Sequence, residues 1–169
     1  MNVIETERLT LRKLTLDDDA FILDLLNQPS FIQFIGDRGV RTLEDARAYI
    51  SKRLIDSYNR FGFGLYLTLL KDGDLPIGIC GLVKRESLED VDVGFAFLPQ
   101  YWLKGYGFES ASAVLAYARD TLGINRIVGI AAPDNDGSIH LLEKLGLQFK
   151  KMVKITEDDI ELKLFALDL

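Results

Sequence analysis

Between Val91 and Gly123 the spacing of apolar residues changes once, and that change dictates a strand, a break and a helix in immediate succession. Val91, Val93, Phe95 and Phe97 alternate with Asp92, Gly94 and Ala96, which gives a strand one large apolar face and one small, acidic face. Pro99 has no N–H for a ladder, so regular pairing should stop or bulge at Leu98. From there Phe108, Ala111, Leu115, Ala118 and Leu122 step by three and four, an apolar stripe on one helix face, and Gly123 stands where that helix should end. Gly105 and Gly107 flank the first helical turn. Unpaired N–H groups point out of a helix start, and residues without Cβ let another molecule approach the backbone, a geometry that suits phosphate.

By themselves two glycines also make nothing more than a tight strand-to-helix turn. The phosphate-loop pattern G-x-x-x-x-G-K-[ST] is absent, and the dinucleotide pattern G-x-G-x-x-G is incomplete, with Ser110 at its third position. The rest of the chain supplies the context. A strand is expected over 8–14, then a helix that opens on Thr15-Leu16-Asp17-Asp18-Asp19 and stops near Pro29. Residues 31–39 read as a short helix or a buried loop, and Thr42 with Asp45 caps a helix that runs through Tyr58. Strands over 63–70 and 76–84 are joined by Lys71-Asp72-Gly73-Asp74, whose Asp-Gly is a hairpin signal. After the helix that begins at Phe108, residues 126–132 form a strand, and a strand-helix-strand unit requires a parallel, right-handed crossover. A short helix over 138–145, a strand over 149–155, a polar turn over 156–159 and a last strand over 160–167 complete the chain. The class is α+β, a mixed and mostly antiparallel sheet of seven strands with a parallel central pair and about four helices, in a single domain over 1–169.

Composition narrows the functions open to such a domain. With 48% hydrophobic and 27% charged residues the chain can bury a core. No apolar stretch approaches the ~20 residues that span a bilayer, and the first residues lack a basic segment followed by an apolar one. A soluble, cytoplasmic protein is expected. One cysteine excludes an intramolecular disulfide, and one histidine leaves no cluster for zinc, so no metal is expected. The net charge of −6 disfavours nucleic acid and favours cationic partners.

The run Gln100-Tyr101-Trp102-Leu103-Lys104-Gly105-Tyr106-Gly107-Phe108-Glu109-Ser110 resembles the W-G-K-G-Y-A-T-E-A signature of the GNAT superfamily of N-acetyltransferases, in particular the Rim-type branch that acetylates ribosomal-protein N-termini. Glu5-Thr6-Glu7-Arg8-Leu9-Thr10-Leu11-Arg12 is similar to that branch's T-E-R-L-x-L-R, and the segment from Asn135 to Leu147 is similar to N-x-x-S-x-x-x-x-E-K-x-G-F. Departures are Leu103 for Gly, Gly107 for Ala, Phe108 for Thr and Leu147 for Phe. The resemblance implies a GNAT-like fold and an acetyl-CoA-dependent N-acetyltransferase that works by direct attack in a ternary complex, without metal. The implied acceptor is a primary amine, on a small molecule or a protein N-terminus, with a homodimer left open. A non-catalytic acyl-CoA-binding or regulatory module is the competing reading.

The resemblance also assigns residues. Backbone N–H groups of Leu103, Lys104, Gly105, Tyr106, Gly107 and Phe108 would hold the pyrophosphate, with Lys104 adding charge. A bulge at Phe97-Leu98-Pro99 would bond the pantetheine arm, with the Leu98 N–H as oxyanion donor. Asp92 stands where the family has Glu in E-I-G-Y, and either it or solvent takes the ammonium proton. Asn135 would contact pantetheine, and Ser138 or its rival Tyr106 would protonate the thiolate, although Asn and Ser are also ordinary helix caps. Cys80 reads as a core residue and His140 as a solvated one, and no G-x-S-x-G elbow exists. The charge balance, with Asp92, Asp17, Asp18, Asp19 and Asp37, leads to the expectation of a cationic acceptor.

Overall fold

The computed structural model describes residues 2–156 and 160–169, so most of the polar turn expected over 156–159 lies outside the described residues. Strands β1 (Asn2–Glu5), β2 (Leu9–Arg12), β3 (Leu65–Leu70), β4 (Leu75–Val83), β5 (Val91–Phe97), β6 (Arg126–Ala131), β7 (Gln148–Val153) and β8 (Leu162–Asp168) form one sheet in the order β1-β2-β3-β4-β5-β6-β8-β7. The fold is the expected mixed α+β sheet, with one strand more than expected. That strand is β1, which pairs antiparallel with β2 as the Thr6 N–H bonds the Leu9 carbonyl at 2.9 Å.

Local chemistry sets the helices. Thr15 and Asp18 cap each other around a 3-10 turn, Leu16–Asp18, which leads into α1 (Asp19–Leu26), and Arg12 pairs with Asp18 at 2.8 Å to fasten that turn to β2. Helix α1 stops near Pro29, as expected. Pro29 itself takes the first position of α2 (Pro29–Phe34), where its missing N–H is no loss, so the undecided 31–39 segment begins as helix. Thr42 caps α3 (Leu43–Tyr49), which runs through a π-helical segment, Ile50–Ile55, into α4 (Asp56–Phe61) and stops at left-handed Gly62. The Tyr58 hydroxyl donates to the Leu65 carbonyl and accepts from the Leu14 N–H at 3.1 Å, fixing α4 to the sheet. The long helix is α5 (Tyr106–Asp120), and α6 (Asp136–Lys144) follows β6.

The sheet separates two cores. On one face α5 packs Ala111, Val114 and Ala118 against Leu9, Leu11, Cys80 and Val93. On the other, α1, α2 and α3 bury Ile22, Leu25, Phe31 and Ile50 against Leu67 and Ile79. Burying side chains of this size contributes roughly 1.5–3 kcal/mol each.

The feature that positions the site is a split in the sheet. Strands β5 and β6 pair in parallel at Val91↔Ile127 and Asp92↔Val128, after which both continue unpaired with each other. The β4 edge of β5 stays regular from Val83↔Asp92 to Gly78↔Phe97. Pairing there outlasts the strand, since the Leu98 N–H donates to the Ile77 carbonyl at 2.9 Å. The break expected at Leu98 is therefore not a bulge against β4. It falls on the opposite edge, and Pro99 opens a 3-10 turn, Pro99–Tyr101.

Candidate active site

A cavity of about 560 Å³ fills the split. Phe95, Ala96 and Phe97 of β5 form one side, Gly105 to Phe108 a second, Asn135, Ser138 and Leu141 a third, and Phe31 and Phe34 of α2 close the far end.

At the start of α5, Gly105 is left-handed at φ 85 and no side chain caps the helix. The first bond back into the helix is the Glu109 N–H to the Gly105 carbonyl, 3.0 Å. The amides of Tyr106, Gly107 and Phe108 thus have no intrahelical acceptor and lie at the cavity wall, where the helix dipole adds partial positive charge. Such a cradle has the form that a pyrophosphate would require, on four of the six residues, 103–108, expected to hold one. Gly107 also carries a packing constraint. A Cβ there would meet the Leu141 side chain at 3.0 Å, so its missing side chain serves the close packing of α5 on α6. Leu103 is fully exposed and left-handed at φ 60, a conformation in which glycine, the family's usual residue here, carries no penalty.

A network the sequence reading missed holds this loop. Glu109 Oε1 accepts from Arg8 Nε at 2.7 Å, and Oε2 accepts from the Arg8 N–H at 2.9 Å and the Thr6 hydroxyl at 2.5 Å. Arg8 Nη1 also bonds the Lys104 carbonyl at 3.1 Å, and its guanidinium lies 4.5 Å from the Tyr106 ring centre. The signal was present, because Thr6, Arg8 and Glu109 all fall in the quoted motifs. Lys144, also missed, lines the cavity and places its ammonium 4.4 Å from the Phe108 ring centre.

At the end of β5 one expectation is corrected. The Leu98 N–H donates to the Ile77 carbonyl, so it is not free to act as oxyanion donor. Successive amides on a strand point to opposite edges, which turns the Phe97 N–H toward the split. The Phe97 carbonyl, on the same edge, accepts the Trp102 indole N–H at 2.9 Å, and the Phe97 N–H is the donor that this edge offers the cavity.

Asn135 and Ser138 meet at the cavity, with Asn135 Nδ2 donating to Ser138 Oγ at 2.9 Å and Asn135 Oδ1 accepting the Ser138 N–H at 3.2 Å. The cap and the hydroxyl are one unit, and the Ser138 proton can point inward. Tyr106 also lines the cavity, its ring held between Arg8 and Tyr101.

Asp92 is not brought into the cavity. It is 1% exposed, stands second in β5 about 13 Å of strand from Ala96, and accepts from Arg85 Nε at 2.9 Å on Oδ2, while Oδ1 has no hydrogen-bond partner among the described residues. Burial pushes its carboxyl up to about 6, with Arg85 pulling back in part. Of the other carboxylates expected around a cationic acceptor, Asp18 is engaged with Arg12, and Asp37 with Arg41 at 2.6 Å. Cys80 is fully buried and its thiol is pushed up to about 12, chiefly by burial, in keeping with a core residue.

The family described as acetyltransferase (GNAT) domain matches residues 8–148. The uncharacterized N-acetyltransferase YnaD of Bacillus subtilis is 29% identical over 154 residues, covering 89% of this chain and 87% of its own. Among solved structures, the RimL ribosomal L7/L12 alpha-N-protein acetyltransferase in complex with coenzyme A superposes with a TM-score of 0.86 at 16% identity, covering 100% of this chain and 98% of that one. The spermidine N-acetyltransferase of Vibrio cholerae in complex with CoA and spermine superposes with a TM-score of 0.79 at 16% identity, covering 96% of each chain. At such identities the likeness to the two solved structures is one of fold.

Proposed function

The chain belongs to the GNAT acetyltransferase family, and from that premise we propose that it moves the acetyl group of acetyl-CoA onto a primary amine by direct attack in a ternary complex. The observation that carries this reading is the continuity of one cavity from the α5 amides, past the Phe97 N–H, to the α2 wall. A cofactor arm entering the split would meet backbone groups that β6 has left unpaired.

Acetyl-CoA supplies a thioester carbonyl, at which a C–N bond to the amine forms as the C–S bond breaks. Gly105 to Phe108 bind the pyrophosphate, and Arg8 and Glu109 keep their loop in shape. The Phe97 N–H holds the carbonyl oxygen as negative charge grows there, the type of contact whose loss costs about 2.7–4 kcal/mol in the barrier. Ser138, oriented by Asn135, protonates the departing thiolate, with Tyr106 as the rival donor. Asp92 makes no contact with the reacting atoms, and the ammonium proton leaves to solvent through the acceptor side of the split.

The test is an acceptor screen with purified protein and acetyl-CoA, following release of free thiol and the mass of the product. Thiol release that rises with amine concentration supports transfer. Tight CoA binding with no turnover on peptides, polyamines, amino acids or aminoglycosides would instead mark a CoA-binding module.

A further inference from the structure

A second cavity, of about 680 Å³, opens on the same sheet face as Asp92, between the α3-to-α4 helix and the β4–β5 connection. Among the described residues that line it are six basic side chains, Arg38, Lys52, Arg53, Arg60, Lys84 and Arg85, against two acidic ones, Asp56 and Glu86. In a chain of net charge −6 this is a local reversal of sign. Arg60 is partly satisfied by Asp56 at 3.5 Å, and Lys84 donates to the Leu88 carbonyl at 2.8 Å and the Glu89 carbonyl at 3.1 Å. Arg38, Lys52 and Arg53 make no ion pair among the described residues.

Arg85 is the built part of this cavity. Its Nε is fixed on the buried Asp92 carboxylate, its side chain is 29% exposed, and its two terminal nitrogens make no hydrogen bond among the described residues. A guanidinium anchored by one edge presents the other edge as a two-pronged donor for a carboxylate or phosphate. Lys52 and Arg53 sit on the π-helical segment, an uncommon geometry that recurs at functional sites.

The two cavities are neighbours in sequence, Phe34 and Ile35 lining the first and Arg38 the second. Asp92, Gly94 and Ala96 share one face of β5, where the Leu65 side chain, which also lines the second cavity, lies 3.2 Å from the position a Cβ on Gly94 would take. The run from Phe97 to Asp92 is about 16 Å at the rise of a strand. An acceptor that reaches both ends carries its anion that far from its amine, which is the span of four or five extended residues.

We propose that the Arg85 cavity selects the acceptor, binding the acidic side chain of an extended peptide whose free N-terminal amine lies at Phe97. The destination of that amine rests on the acetyl-transfer reading, whereas the anion subsite does not. This reverses the cationic acceptor expected from net charge.

The probe is a fluorescent-labelled alanine-rich hexapeptide amide with a free N-terminus and Asp-Glu at its fourth and fifth residues, compared with the same peptide carrying Asn-Gln. Binding is read by anisotropy on CoA-saturated protein, with and without Lys52→Glu/Arg53→Glu, two exposed positions whose reversal leaves the core untouched. The acidic peptide should bind at least tenfold tighter than its amide analogue, lose that preference in the double variant, and weaken as salt rises. Equal binding of the two peptides, or a preference that survives the charge reversal, overturns the proposal. A parallel assay of thiol release with the acidic peptide separates the two levels: binding without release leaves the subsite standing and refutes the transfer reading.

Discussion

Replacing Asp92 by Asn should change the stability of the protein in a way that depends on pH with a definite sign. Asp92 is fully buried, one of its oxygens has no partner, and its carboxyl is pushed up to about 6 from an ordinary 3.8. Between those values the folded chain still holds a proton that the unfolded chain has released, so stability falls as pH rises through the window. The gap corresponds to about 3 kcal/mol, complete above pH ~7. Asn keeps the shape and an acceptor for Arg85 but cannot ionise. The stability of Asp92→Asn relative to wild type should therefore improve by about 2 kcal/mol between pH 4 and pH 7, measured by urea unfolding at each pH. Taking the difference cancels Asp18 and Glu109, whose carboxyls are held below their ordinary values and whose contributions run the opposite way. A difference that stays constant with pH would refute the reasoning, because Asp92 would then ionise as it does in the unfolded chain.

Acetyl-CoA at 100 times its Kd should stabilise the protein by about 2.7 kcal/mol, and Gly105→Val should abolish that thermal shift, since a β-branched residue at φ 85 distorts the cradle. Leu103→Gly should raise stability by up to about 1 kcal/mol by relieving a left-handed, fully exposed leucine, and a fall in melting temperature would contradict the strain. Glu109→Ala should cost about 2 kcal/mol at neutral pH, since it strips three hydrogen bonds from a charged acceptor. Burial pushes that carboxyl up, but Thr6 and Arg8 hold it below its ordinary 4.5, so the effect is present above pH ~4.5 and should fade as pH falls below it. Ser138→Ala should lower kcat at saturating substrate while Tyr106→Phe leaves it within about twofold, and the reverse ranking would make Tyr106 the acid.

Much of this architecture could be read from the chain because its local signals agree. The alternation over β5, the glycine-spaced turn, the α5 stripe and the Asp-Gly hairpin each name one conformation, and the structure has all four. Strand β1 escaped because four residues with two apolar side chains carry no period, and it is the pairing with β2 that holds them extended. Pro29 marked the end of α1 but hid the start of α2, because proline ends one helix and begins another with equal ease. The site was legible in its loop and helix starts, where function follows backbone position. It was misread at Leu98 and Asp92, where function depends on which edge an amide faces and on what lies above a carboxylate. Those are properties of neighbours distant in sequence: Ile77 takes the Leu98 amide and Arg85 covers Asp92. Net charge is mute on position for a related reason, since it says nothing of where the cations gather.

The split between β5 and β6 also bears on how the molecule moves. Two residue pairs are the whole of the ladder between a five-stranded half, β1 to β5, and a three-stranded half, β6, β8 and β7. A sheet stitched over two residues resists shear at one end and yields at the other, like a book held at the foot of its spine. Helix α5 packs on β1, β2, β4 and β5 of the larger half, and its C-terminal end leads into β6 of the smaller one. A ligand that threads the gap and bonds both pages would act as a clasp, turning an entropy of opening into a rigidity felt in β8 and β7, beyond the groups it touches.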